Sequence, residues 1–473
     1  MHFRVNDSFI VRLSNRKHFN KLSANKSEIM FIIFGVAVLI AVCQAREPTL
    51  ITRFDLNETY VENYTSDEQL IFPTIDPSIA EDATLTTPQL INKYGYKVEV
   101  HYVTTDDGYI LQLHRITGGE KYPAKNGKKV CILQHGLLDS SATWILTGPG
   151  HGLGYLLADE NMDVWLANSR GNTYSCNHTT YNPFGSSKDR KKFWDFSWDE
   201  MGRYDLPATI DYVLAETGQM KLQFVGHSQG TTAFFVMCSE RPEYNQKIEM
   251  MHALAPIAFL SHVISPPIRV IAPFVSIISK ISSFIGLNYI TPNDEFLILA
   301  GKLICRDEVP TQIICENLLF LVMGYASDQL NATLLPVILG HTPAGSATNQ
   351  MIQYGQEVNS GHFRQFDHGR IGNLLRYKRI SPPDYNLNNV KVPVAVYYSQ
   401  DDWLADVKDT EHLLKSLPNV INNYIVPHKK FNHIDFVWGI DAPFLLYDEI
   451  VKTMKLSNYI VPNMDIDIEN ALP

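Results

Sequence analysis

The pentapeptide Gly226-His227-Ser228-Gln229-Gly230 constrains this 473-residue chain more than any other feature. It follows the apolar run Leu222-Gln223-Phe224-Val225 and precedes a helix-like segment, 231–239. A Gly-x-Ser-x-Gly match is weak by itself. With Gly and Ser each at about 7% of residues, a chain of this length shows one by chance roughly one time in six. The strand before and the helix after supply the missing weight, because the motif works only at a tight strand-to-helix turn. There the serine hydroxyl is held out above a sheet edge, and Gly226 and Gly230 remove side chains that would clash in the bend. Ser228 is therefore expected to be a nucleophile, against the plainer reading of a small-residue turn with an incidental serine.

A serine hydroxyl is too weakly acidic to attack an ester unaided, so a base and a group that orients the base must lie elsewhere. In an α/β-hydrolase they follow in the order serine, acid, histidine, on loops after late strands. The run Val392-Pro393-Val394-Ala395-Val396-Tyr397-Tyr398 reads as a buried strand, and Asp401, Asp402 and Asp406 follow it. Pattern alone does not choose among these three carboxylates. A last short strand is expected at 423–427, then Asn432-His433-Ile434-Asp435-Phe436 and a closing helix at 442–454. His433 is the candidate base. His428 is a rival, but it follows the strand directly and sits among lysines, where a solvated surface role is the simpler reading.

Taken together, these residues resemble the acid lipases, the family of lysosomal acid lipase and the gastric and lingual lipases. The resemblance spans about 86–454. It rests on His135-Gly136-Leu137-Leu138, on the run 163–173 with its Asn168-Ser169-Arg170-Gly171-Asn172, on 204–211, on 226–232 and on 432–436. In that family the acid is the first aspartate of an Asp-x-Leu-Ala-Asp segment, which matches Asp402 and leaves Asp401 and Asp406 without an assigned role. The resemblance thus implies a triad of Ser228, Asp402 and His433. It also implies neutral lipid esters as substrates, triacylglycerols or steryl esters, and activity at low pH. Neither follows from composition or spacing.

Ester hydrolysis passes through a tetrahedral oxyanion, and donors preset for that charge are a large part of catalysis. One donor is expected to be the backbone N–H of Gln229, the residue after the nucleophile. The other should come from a loop after an early strand. Here 130–134 is a buried strand that runs into His135-Gly136-Leu137-Leu138, and the family resemblance puts the second donor at the N–H of Leu137.

The rest of the chain fits an α/β fold, a mostly parallel sheet with helices on both faces. The segments 97–105 and 109–116 alternate as a hairpin around Asp106-Asp107-Gly108. Further buried strands are expected at 162–167 and 250–255, with a helix at 206–217 between strands. The alternation breaks at about 256–391, which carries apolar helix-like runs at 270–278 and 318–323. The hydrolase core is therefore placed at 86–256 and 392–457, with a mainly helical cap at 257–391. The family resemblance implies a lid within that cap, at roughly 291–324.

Residues 1–45 hold six Lys or Arg against Asp7 and Glu28, then an apolar run at 30–42 and Cys43-Gln44-Ala45. That is the pattern of a cleavable signal peptide, too short in its apolar part for a membrane span, and Met30 is an alternative start. Removing those charges moves the formal net charge from −10 to −14, which argues against nucleic acid as a partner. Residues 46–85 read as an acidic lead-in or pro-segment, with nine acidic and two basic side chains, and 458–473 as a flexible tail. Asn57, Asn63, Asn177 and Asn331 head glycosylation sequons outside the leader.

Five cysteines follow the leader: Cys131, Cys176, Cys238, Cys305 and Cys315. An odd count leaves at least one free thiol. Cys131 and Cys238 are expected as buried free thiols, Cys176 is undecided, and the family resemblance pairs Cys305 with Cys315. No Cys or His group has metal-ligand spacing, and no cofactor or metal is expected. The expected protein is a secreted or lysosomal monomeric esterase that meets lipid at an interface. Two alternatives stand beside it: a catalytically silent lipid-binding protein of the same fold, and an acyltransferase using the same acyl-enzyme.

Overall fold

The computed structural model describes residues 76–290, 322–324 and 328–456. The signal peptide, Asn57, Asn63, Cys305, Cys315, most of the expected lid and the tail lie outside the described residues. The strands are β1 (Lys97–Thr104), β2 (Ile110–Gly118), β3 (Lys129–Gln134), β4 (Met162–Ala167) and β5 (Leu222–His227), followed by β6 (Ile248–Leu254), β7 (Tyr289–Ile290), β8 (Ser346–Ala347), β9 (Val394–Tyr398) and β10 (Val420–Ile425). Eight of them form one sheet in the order β1-β2-β4-β3-β5-β6-β9-β10. The β1–β2 hairpin is antiparallel and joins β4 antiparallel; from β4 to β10 every pairing is parallel.

A parallel sheet is covered on both faces, so its inner strands are apolar throughout rather than alternating. β4 and β5 are buried at every residue. Successive residues feed two cores: Cys131 and Leu133 of β3 join one cluster, Val130 and Ile132 the other. Each such side chain contributes about 1.5–3 kcal/mol on burial. β10, at the sheet edge, alternates half-buried and exposed. It begins at Val420, three residues earlier than expected, because Asn422 points inward and is satisfied by Glu449 (3.3 Å) and Thr453 (3.2 Å). The β9 strand starts at Val394 rather than 392, past Pro393, which has no N–H for the ladder.

Two family motifs meet in a buried ion cluster. Arg170, fully buried just past β4, binds Asp107 of the hairpin turn at 2.6 Å and Asp205, before the helix Leu206–Thr217, at 2.7 Å. Its guanidinium also lies 4.0 Å from the Tyr109 ring. Removing either carboxylate would leave a buried charge underpaired, at a cost of roughly 3–5 kcal/mol.

Between β6 and β9 the chain leaves the main sheet. It forms helices at Pro266–Ile271, Val275–Ile285, Leu335–His341, Thr348–Ser360 and Gly369–Tyr377, plus the small β7–β8 pair. The stretch Pro266–Ile285 is long and apolar enough to cross a membrane by length and composition. Within it Val275 packs with Ile352 of the helix Thr348–Ser360, while Ile277, Ile281, Phe284 and Ile285 are exposed.

Candidate active site

The nucleophile turn follows from its sequence. β5 ends at His227 and the helix Gln229–Glu240 starts directly, two residues earlier than 231, leaving Ser228 alone to make the bend. Its φ of 52° and ψ of −120° lie where a non-glycine residue is strained by about 1–3 kcal/mol. Both neighbouring glycines are needed for close approach. A Cβ on Gly226 would lie 3.0 Å from Gly230 backbone, and one on Gly230 would run into the carbonyl oxygen of Gln134.

Three sequence-predicted residues come together on this turn. His433 Nε2 lies 2.8 Å from Ser228 Oγ, and His433 Nδ1 lies 2.7 Å from Asp402 Oδ2. The second Asp402 oxygen accepts N–H bonds from Leu404 and Ala405, both at 2.8 Å. That locks the carboxylate toward the imidazole. All three side chains are buried, Ser228 the most open at 8%, so the charge-bearing groups interact with little competition from water.

The other candidate acids and base stand apart from this array. Asp406 caps the helix Val407–Ser416 by accepting the Lys408 N–H at 2.8 Å. Asp401 is partly exposed, with its carboxyl pushed up by burial. His428 pairs with Asp328 at 3.1 Å. The described end of the expected lid touches both triad loops: the Met323 carbonyl accepts from the N–H groups of Trp403 and His433, each at 3.4 Å.

The candidate oxyanion loop lies against the serine. A Cβ on Gly136 would sit 3.2 Å from Ser228 Cβ, a tight contact that glycine avoids as the backbone of 135–137 passes the serine. Gln229 is the first residue of its helix, where an N–H has no intrahelical partner. Leu138 takes a positive φ of 62° as the loop turns away, and its carbonyl is tied to the Ala344 N–H at 2.7 Å. His135 holds this loop from beneath. Its Nδ1–H donates to the Gly136 carbonyl at 2.7 Å, while its Nε2 accepts the Ser169 N–H at 3.1 Å. Burial pushes the His135 imidazole down to about 4, so it stays neutral in mild acid.

His227, the first of the two variable residues of the pentapeptide, escaped sequence reasoning. Its Nε2–H donates to the backbone carbonyl of His433 at 2.9 Å, which fastens the serine turn to the histidine loop. Burial first, and then proximity to His433, push its imidazole down to about 3. The only available signal was its place inside the motif. A second cluster was also passed over: His262, Asp406 and Asp409 bring one ligand atom each within 4.8 Å of one another. His262 uses its N–H (2.7 Å) and its Nδ1 (2.8 Å) on Asp409, tying the start of the insertion to the helix Val407–Ser416.

Cys131, Cys176 and Cys238 are free, Cys131 and Cys238 being buried as expected. Asn177 and Asn331 are both exposed.

Comparison with known proteins agrees with this geometry. The family profile for a partial alpha/beta-hydrolase lipase region matches residues 87–148, and that for the alpha/beta hydrolase fold matches 129–280. Lipase 1 of Drosophila melanogaster is 46% identical over 80% of this chain and 81% of its own length. Gastric triacylglycerol lipase of Bos taurus is 41% identical over 79% of this chain and 92% of its own. Lysosomal acid lipase/cholesteryl ester hydrolase of Macaca fascicularis is 37% identical over 80% and 92%. With such identity across four-fifths of its length, the chain belongs to the acid lipase family and is a carboxylic ester hydrolase of the α/β-hydrolase superfamily.

Proposed function

We propose that the protein hydrolyses neutral lipid esters, triacylglycerols or steryl esters, through an acyl-enzyme on Ser228. The observation that carries this reading is the unbroken relay from Ser228 Oγ through His433 to Asp402, at 2.8 and 2.7 Å. Ser228 Oγ attacks the ester carbonyl as its proton passes to His433 Nε2. Asp402 holds the imidazole by Nδ1–H and stabilises the cation that forms. The N–H groups of Leu137 and Gln229 receive the oxyanion. The alcohol departs with the proton from His433, and water then releases the fatty acid by the same steps in reverse.

Residues 257–391 act as the cap over this site, with 86–256 and 392–457 as the hydrolase core. His135 and His227 stay neutral in the fold until the pH falls to about 4 or lower, so their hydrogen bonds around the site keep one pattern down to that pH. We assign the chain to the secretory pathway, as a secreted or lysosomal enzyme, with sugar on Asn177 and Asn331. Emulsified trioleoylglycerol and cholesteryl oleate, offered from acidic to neutral pH to wild type and Ser228→Ala, test the reading. Turnover of at least one by wild type alone is expected. Lipid binding without turnover at any pH would overturn it.

A further inference from the structure

The helix Gly369–Tyr377 is inside out. A surface helix ordinarily buries its apolar stripe and shows its polar face to water. Here Ile371, Leu374 and Leu375, spaced i, i+3, i+4 and so on one face, are 79%, 52% and 70% exposed, and Ile380 beyond the helix is 60% exposed. The face turned inward carries Asn373, only 1% exposed. Its amide donates to Asp367 at 2.7 Å and to the Ile380 carbonyl at 3.1 Å, and its carbonyl oxygen accepts the His368 N–H at 2.9 Å. Tyr377 adds a bond to the Phe366 carbonyl at 2.9 Å. Polar groups anchor this helix and its apolar groups face outward.

Charge marks the same surface. Residues 369–380 carry Arg370, Arg376, Lys378 and Arg379 and no Asp or Glu, in a chain whose net charge is −10. All four cations are exposed. Arg376 is held loosely, 3.8 Å from Glu200, and Lys378 reaches back to the Leu375 carbonyl at 3.0 Å. Apolar side chains rimmed by Lys and Arg on a short helix are the composition that lies in a lipid–water interface and is drawn to anionic headgroups.

A second copy of the chain fits this face poorly. An isologous contact would bring its four cations against the same four. A nine-residue helix, about 13 Å long, also covers far less than the ~800 Å² per partner of a stable protein interface. We propose that the outward stripe of Gly369–Tyr377, with its flanking cations, is a docking surface for an anionic lipid–water interface. The inference deepens the lipid-esterase reading and rests on it for its purpose, although binding can be measured without turnover.

The test uses the full secreted chain with two variants, Ile371→Ser/Leu375→Ser and Arg370→Gln/Arg379→Gln. Co-flotation is measured with vesicles of phosphatidylcholine alone and of phosphatidylcholine mixed with phosphatidylglycerol. Hydrolysis of soluble p-nitrophenyl butyrate reports on fold and active site in the same samples. Wild type should bind the mixed vesicles about tenfold more tightly than the neutral ones, each variant should lose about tenfold on the mixed vesicles, and butyrate hydrolysis should not change. The proposal is overturned if both variants bind mixed vesicles as wild type does, or if wild type does not distinguish the two vesicles. It is equally overturned if the variants convert an oligomer to a monomer in solution, since the stripe would then join copies of the chain. A wild type that floats but hydrolyses no butyrate would break the esterase reading and leave the docking surface standing.

Discussion

The sheet core and two helices of the insertion between β6 and β9 obey opposite rules about which side chains face water. In the core, β3, β4, β5 and β9 bury almost everything they carry, and the catalytic candidates sit at 8% exposure or less. In the insertion, the helix Val275–Ile285 shows Ile277, Ile281, Phe284 and Ile285 outward while Ser282 is buried, and Gly369–Tyr377 repeats the inversion around Asn373. The core gains stability by removing nearly all its apolar surface from water, whereas the insertion does so only in part, through residues such as Leu335, Val337, Ile338 and Ile352. The insertion keeps apolar surface available, an arrangement suited to apolar surroundings. Substitutions in the core should therefore damage folding or chemistry, and those on the insertion's stripes should damage neither in water.

The sharpest way to break that contrast is Ser228→Ala. It should lower kcat on a soluble ester at least about 10⁴-fold with little change in thermal midpoint; retained turnover would remove the core from the chemistry. Next comes Gly230→Ala, whose Cβ collides with the Gln134 carbonyl. Chemical denaturation should show a loss of about 3 kcal/mol or more, and an unchanged midpoint would mean that the turn is looser than its geometry.

Asp139, next to the loop 135–138, is buried, and burial pushes its carboxyl up to about 7. A raised acid is protonated in the fold where the unfolded chain has already released its proton. Its contribution is complete below about pH 4 and lost as pH rises through about 7. Asp139→Asn should thus gain on wild type between pH 4 and pH 7.5 by on the order of 2–3 kcal/mol, and a gap independent of pH would contradict this. His135 and His227 work in the other direction. Their depressed values give stability that is present above about pH 6.5 and lost as the pH falls through about 4 and about 3.

His227→Leu leaves the His433 carbonyl without its buried donor, a loss of about 1–3 kcal/mol in positioning. We expect kcat to fall about tenfold to a hundredfold with KM unchanged, and His227→Gln to recover part of it. Equal loss in both variants would mean that ring packing, not the hydrogen bond, is what matters. The smallest effect belongs to the insertion. Ile371→Ser with Leu375→Ser should stay within about ±0.5 kcal/mol of wild type in stability. A large loss would show that the stripe packs after all.

The same contrast explains what could be read from sequence. Buried parallel strands announce themselves as apolar runs, so 162–167 and the helix 206–217 have the bounds expected of them. The Ser228, Asp402 and His433 array was legible because each residue lies in a local motif tied to a strand end. β10 was foreseen late because its inward Asn422 breaks the apolar pattern. His227 and His135 were unreadable as positioning groups, since their partners are a distant backbone carbonyl and a loop fixed only in the fold. In the insertion, the apolar run at 270–278 marked a helix, 369–377 was not read as one, and in neither case does the sequence show which face turns inward. That face is normally assumed to be the apolar one, and at Asn373 and Ser282 the assumption fails.

Hydrolysis by the proposed route requires that Ser228 carry the acyl group. The most direct test is to inactivate the wild-type enzyme with a long-chain alkyl phosphonate ester and locate the adduct by peptide mass spectrometry. One phosphonyl group per active chain is expected, on the peptide containing Ser228, rising in step with loss of hydrolysis. Full inactivation with Ser228 unmodified would contradict it.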